Sequence, residues 1–194
     1  MALRWSRAAS GLLLAATLLG VVRAQGSGSH DHTGQTPNLA VLGVIETREP
    51  DSVESRALAA ISYPWRERLP GWEVRFLPQR PGLRGLTLPS EKRIEIYVRD
   101  TDTPESLARV VAHEMGHAAD LQLNDSRDRD RWRRARGAGA EVPWWPDDSA
   151  SDFATLGGDF AEAFAVWQTG AQSRSTVAGQ PAPDQLAVLV ALVS

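Results

Sequence analysis

The stretch VVAHEMGHAAD, residues 110–120, holds two of the chain's four histidines four residues apart, with a glutamate directly after the first. On an α-helix, residues four apart differ by about 400°, so they face the same way one turn apart. His113 and His117 could then grip one ion through neutral imidazoles, and zinc favours such nitrogen ligands in a tetrahedral set. Glu114 is turned about 100° from His113, too far round to be a co-ligand in the same direction. It is well placed to hold a metal-bound water and to take its proton. Asp120 lies three residues past His117 and could orient an imidazole through its second nitrogen.

A catalytic zinc, one per chain, needs three protein ligands and one open position. His30 and His32 are the only other histidines, and they sit in QGSGSHDHTGQTP (25–37), a Gly/Ser-rich run that reads as a flexible linker. The third ligand is therefore expected to be a carboxylate further downstream. GGDFAEAFAVW (157–167) offers two. Phe160, Phe164 and Trp167 make an apolar stripe, while Asp159 and Glu162 lie about 60° apart on the other side. Burying an unpaired carboxylate on so apolar a helix is costly, so these acids are expected to have partners.

The elements around them must bring these residues together. In TDTPESLARVVAHEMGHAADLQL (101–123), Thr103 or Asp102 can cap a helix, Pro104 suits its first turn and Glu105 its positive end. Leu107, Val110, Val111, Met115, Ala118 and Leu121 supply the apolar content. Upstream, NLAVLGVIET (38–47) could be a strand or an approach to the first helix. EPDSVESRALAAISYPWRERLP (49–70) has helical spacing that Pro64 should end or kink. GWEVRFLP (71–78) alternates as a half-buried strand does, and residues 83–100 read as two strands joined at PSEK. A short helix is expected at 126–136, another within 152–170 after the glycines, and a closing helix in PAPDQLAVLVALV (181–193). The sum is an α+β domain over 38–194, a small mixed sheet packed on the histidine-bearing helix and a second, ligand-bearing one.

Residues 1–24 read as a secretory signal peptide, with Arg4 and Arg7 before the apolar run GLLLAATLLGVV and cleavage expected before Gln25. That run is short for a bilayer span of about 20 residues, so no stable membrane span is expected after cleavage. Removing the segment takes away three arginines and moves the formal charge from −3 to −6. A mildly acidic domain offers no general case for nucleic-acid binding. The chain has no cysteine, which excludes a disulfide framework and a thiol nucleophile. A secreted or periplasmic monomer is expected.

HEMGH followed some 40 residues later by a Glu-bearing helix resembles the gluzincin branch of zinc metallopeptidases. AEAFA (161–165) is similar to the segments that carry the third ligand in thermolysin-like enzymes and related zinc aminopeptidases, and that likeness implies Glu162 as the ligand. HEMGHAAD with DFAEAF is also similar to small peptidases of the anthrax-lethal-factor and Pro-Pro endopeptidase type. There the ligand glutamate lies four residues before the glutamate of FAEAF, a position that is Gly158 here, with Asp159 one step on. The two likenesses thus leave Glu162 and Asp159 open as alternatives. The lethal-factor group also places a tyrosine shortly before the third ligand, whereas this chain has only Tyr63 and Tyr97.

What the resemblance implies is a compact zincin-like domain that hydrolyses peptide bonds of a peptide or protein substrate, with Glu114 as general base. An edge strand, 85–88 or 93–98, would hold the substrate as an added strand. The run RDRDRWRRAR (127–136) reads as a solvated helix with internal ion pairs or as a rim attracting acidic substrates. Trp144 and Trp145 are candidates for a cleft wall or for core packing. The alternatives in other classes are a metal-binding scaffold domain that does not turn over and a metal-dependent amidase acting on cell-wall material.

Overall fold

The computed structural model describes Glu49, residues 51–147 and residues 151–194. The expected signal segment, the 25–37 linker with His30 and His32, and the apolar run 38–47 lie outside the described residues. What is described is α+β: six α-helices and a three-stranded sheet. Among the described residues, no helix is long and apolar enough to cross a membrane.

Two short helices, α1 (Val53–Ala59) and α2 (Trp65–Arg68), come first. The helical pattern is broken between them as expected, α1 ending at Ala59 and α2 starting afresh after Pro64, its N-cap. The sheet follows, with β1 (Glu73–Pro78), β2 (Gly85–Leu88) and β3 (Arg93–Val98). Its order is β1-β3-β2, with β1 parallel and β2 antiparallel to the central β3. The turn expected at PSEK is a 3₁₀ turn (Pro89–Glu91) closed by Lys92 at φ 47°. Register places Val74, Ile94 and Thr87 in one row and Phe76, Ile96 and Gly85 in the next. Alternation puts these residues on one face, and Phe76, Ile94, Ile96, Gly85 and Thr87 are all buried.

Helix α3 (Pro104–Leu123) covers that face. Its start follows local chemistry, since Thr103 and Ser106 form a reciprocal capping box and Pro104 occupies the first turn. Helix α5 (Leu156–Thr169) packs along α3, and the contact is close because Gly116 has no side chain. A Cβ there would stand 2.7 Å from the Ala161 Cα. Helices α4 (Ser126–Ala135) and α6 (Pro183–Val193) close the far side, with Trp132, Phe160, Phe164 and Leu189 buried between these layers. Full burial of one such side chain contributes about 1.5–3 kcal/mol, so this layer fixes how α3 and α5 face each other.

The helix expected within 152–170, after the glycines, begins slightly earlier and includes them, at Leu156–Thr169. Residues Asp152–Ala154 form a separate 3₁₀ turn, and Thr155 caps α5 by accepting a hydrogen bond from the Gly158 N–H. A side-chain cap satisfies a donor that the helix leaves free, so the helix begins at Leu156. Asp152 consequently belongs to a loop rather than to a helix face.

Candidate metal centre

On α3, His113 and His117 point the same way, with ring centroids 4.9 Å apart. Their Nε2 atoms converge on one oxygen, Asp152 Oδ2, at 3.0 and 3.2 Å. One ligand atom from each of the three residues lies within 4.8 Å of the others, and all three residues are largely shielded from solvent. This buried group could hold a metal ion.

Its geometry and chemistry fit an ion. Two ligands about 2.0–2.1 Å from a tetrahedral zinc stand roughly 3.3 Å apart, close to the separations seen here. An ionised carboxylate only accepts hydrogen bonds, so two Nε2 atoms on one carboxylate oxygen require a proton on each ring or a shared cation in their place. Asp152 Oδ1 is buried with no hydrogen-bond partner among the described residues, which leaves acceptor capacity to spare. Without an ion, the surrounding carboxylates favour the protonated form of both rings. Burial disfavours a charged His113, but the hydrogen bonds to Asp152 and Glu162 and the nearby Glu114 charge outweigh it, pushing the ring up to about 10. His117 is raised as well, burial again being overcome by the Asp152 charge. Burial would raise Asp152, yet the two histidines hold its carboxyl well below the usual range.

The absence of a side chain at Gly158 is what admits Asp152. A Cβ at Gly158 would lie 2.7 Å from Asp152 Oδ2 and closer still to its main-chain carbonyl. The helix position that could have carried an acid toward the histidines is empty, and the loop carboxylate is seated against it.

Glu162 and Asp159, the carboxylates expected as third ligand, are placed differently. Glu162 Oε1 is 2.8 Å from His113 Nδ1, the nitrogen facing away from the convergent pair. Its Oε2 accepts from the Arg109 guanidinium at 2.5 Å and from the Arg174 N–H at 2.6 Å. It stands behind His113 and fixes which nitrogen carries the proton, the arrangement common behind histidine ligands. Burial would raise Glu162, but His113, the Arg174 N–H and Arg109 together lower it. Asp159 does not approach the histidines. Arg136 grips both of its oxygens at 2.8 and 2.9 Å, Trp132 Nε1 donates at 3.2 Å and Ser175 Oγ at 2.5 Å. Both acids are fully buried and partnered, as their setting on an apolar helix required.

Glu114 lies beside the group, close enough for its charge to raise both histidines. Its carboxylate is steered by the sheet. Thr87 donates to Oε2 at 2.8 Å, and a Cβ at Gly85 would meet the Glu114 Cγ at 2.5 Å. Strand β2 is the edge of the sheet next to this helix, whereas β3 is its centre. Of the two strands expected to accept a peptide, only β2 is an edge among the described residues.

Other expected residues take structural roles. Asp120 does not reach His117, whose Nδ1 has no partner among the described residues. It accepts from Asn124, Arg129 and Trp144 instead, pinning α4 and the following loop to α3. Trp145 tilts over His117 at 6.5 Å between ring centroids and so walls one side of the group. Within the arginine run, Arg129 stacks on both tryptophans, Arg133 holds main-chain carbonyls and Arg136 holds Asp159. The cleft that opens onto His113, Glu114 and Asp152, about 160 Å³, is lined by none of that run. Its walls are β2, α3, the Asp152 turn, and the Glu162 and Arg174 side chains.

Sequence reasoning missed Asp152, Gly85 and Thr87. The one available signal for Asp152 was the pair Gly157-Gly158, two and three residues past Thr155, which marks a close approach at a helix start. Comparison with protein-family models, with curated proteins and with solved structures finds no match to this chain.

Proposed function

We propose that this chain is a secreted zinc-dependent metallopeptidase, hydrolysing peptide bonds at the His113, His117 and Asp152 group, with an aspartate of a loop where the gluzincin likeness implied a helix glutamate. The convergence of three ligand atoms beside Glu114, on a cleft bordered by a sheet edge, is the observation that carries this reading. Two imidazoles and a carboxylate are a donor set suited to zinc, leaving one position for water. Bound zinc would supply Lewis acidity, bringing water's pKa toward about 7 and polarising a carbonyl.

The protein's own residues would do the rest. Glu162 keeps the proton on His113 Nδ1 and frees Nε2 to ligate. Glu114, aimed by Thr87 and given room by Gly85, accepts the proton of the attacking water and later delivers it to the leaving amine. The β2 edge, unpaired among the described residues, offers main-chain groups that a substrate strand can pair with. Trp145 and Phe153 flank the two histidines and limit access of bulk water.

One observation favours a second reading, a metal-binding domain without turnover. Both tyrosines are engaged away from the histidines, Tyr63 on the Val193 carbonyl and Tyr97 on Glu95. Neither is positioned to steady an oxyanion. Metal content and peptide hydrolysis, measured together, separate the readings. The expected outcome is one zinc per chain, lost in Asp152→Ala, and retained in Glu114→Gln with hydrolysis abolished. Zinc retention with no hydrolysis in the unsubstituted protein would support the scaffold reading. No zinc after reconstitution would sink both.

A further inference from the structure

The cleft beside the histidines carries more positive donors than its own acids use. Three arginines line it. Arg109 is committed to Glu162, and its part-buried side chain has little freedom to turn elsewhere. Arg84 gives Nη2 to Asp102 at 2.6 Å, but its Nη1 is buried with no hydrogen-bond partner among the described residues. Arg174 binds Glu162 only through its main-chain N–H, and the residue is exposed. Its guanidinium pairs with no carboxylate among the described residues. Its charge still reaches the site. Burial lowers the Arg109 pKa first, Glu162 opposes that, and the positive Arg174 adds to the lowering.

Each acid of the cleft has a partner, although Asp152 Oδ1 has none among the described residues. Glu162 takes Arg109, His113 and the Arg174 N–H; Glu114 takes Thr87; Asp152 takes both histidines. Val110 and Phe153 supply apolar wall between them. A guanidinium beside apolar surface is suited to a carboxylate, which it can meet with two parallel hydrogen bonds.

We propose that this cleft selects a substrate group bearing a carboxylate, an acidic side chain or a free C-terminus, seated on Arg174, with the Arg84 charge in the adjoining wall adding to the attraction. The proposal rests on the peptide-hydrolysis reading and adds the substrate class to it.

The test uses zinc-loaded full-chain protein carrying Glu114→Gln, so that peptides bind without turnover. The probes are N-acetyl hexa-alanine amides with one Glu at each position in turn, their Gln counterparts, and hexa-alanine with a free C-terminus. Calorimetry should show Glu over Gln at one position, or free acid over amide, by at least about tenfold, the scale of one charge-assisted hydrogen bond. The first result assigns a side-chain carboxylate and the second a chain end. Adding Arg174→Gln should abolish the preference, and Arg174→Glu should turn it toward Lys-bearing peptides. Because the side chain is exposed and the Glu162 contact is main-chain, these variants should fold; a circular-dichroism melt checks it. Equal binding of acid and amide peptides would overturn the carboxylate proposal, and so would a preference that survives Arg174→Gln. If Arg174-dependent selection holds while protein with Glu114 intact cuts none of the peptides, carboxylate binding stands and the peptidase reading falls.

Discussion

Asp159 and Glu162 stand three residues apart on α5, both without exposed surface, yet they live in different electrostatic circumstances. Asp159 is saturated: a bidentate guanidinium, an indole N–H and a hydroxyl all converge on it, and every partner is structural. Glu162 is divided between Arg109 on one oxygen and His113 on the other, so that one of its partners belongs to the candidate metal group. The same residue class, helix and burial can therefore serve either to join α4 to α5 or to set the orientation of a ligand. What decides is which helix faces each acid. Asp159 looks toward Arg136 just beyond α4, and Glu162 looks toward α3.

The largest effect expected from breaking this contrast lies on the structural side. Asp159→Ala strands Arg136, whose side chain is 1 % exposed, without its counter-charge. Removing one member of a buried pair costs about 3–5 kcal/mol, which should appear in urea unfolding as a lower midpoint at unchanged slope. The folded fraction should still bind zinc. Lost zinc at undiminished stability would reverse the assignment and make Asp159 a ligand.

The difference between these two acids marks how far the sequence alone reaches. His113, Glu114 and His117 were legible because a four-residue spacing on a capped helix fixes relative direction without knowledge of anything else in the fold. That both acids of α5 are buried followed from its apolar surroundings. Their separate partners did not follow, because Arg136, Arg109 and Arg174 are brought in by the packing of α4, α3 and a loop. Asp152 was hidden twice. Its segment lies ahead of the helix, where nothing in the sequence fixes its direction, and its approach depends on the missing side chain at Gly158. A glycine's meaning in such a place is the space it leaves for a neighbour, and the neighbour is distant in sequence.

An intermediate effect is expected at Glu162. In Glu162→Gln the side chain keeps its shape but no longer compensates Arg109 or orients His113 as a full charge. Loss of such an outer partner typically weakens metal binding about 10–100-fold. Chelator competition should show this drop with the one-to-one stoichiometry intact. Complete loss of zinc at all accessible concentrations would mean that Glu162 ligates directly and that Asp152 does not complete the set.

The smallest effect tests whether the two acids are independent at all, because adjacent residues of one loop serve them. Arg174 donates its main-chain N–H to Glu162, and Ser175 donates its hydroxyl to Asp159. In Ser175→Ala, Asp159 retains Arg136 and Trp132, so the lost hydrogen bond should cost about 1–2 kcal/mol. If the acids act separately, zinc affinity should stay within about twofold, as it does for sites with no shared partner. If the loop couples them, slackening at Ser175 will shift the Arg174 N–H away from Glu162, and zinc affinity will fall along with stability. A double-mutant cycle of Ser175→Ala with Glu162→Gln reads that coupling directly. Additive losses keep the two acids distinct, whereas an interaction energy above about 0.5 kcal/mol makes the 174–175 loop a single clamp on both.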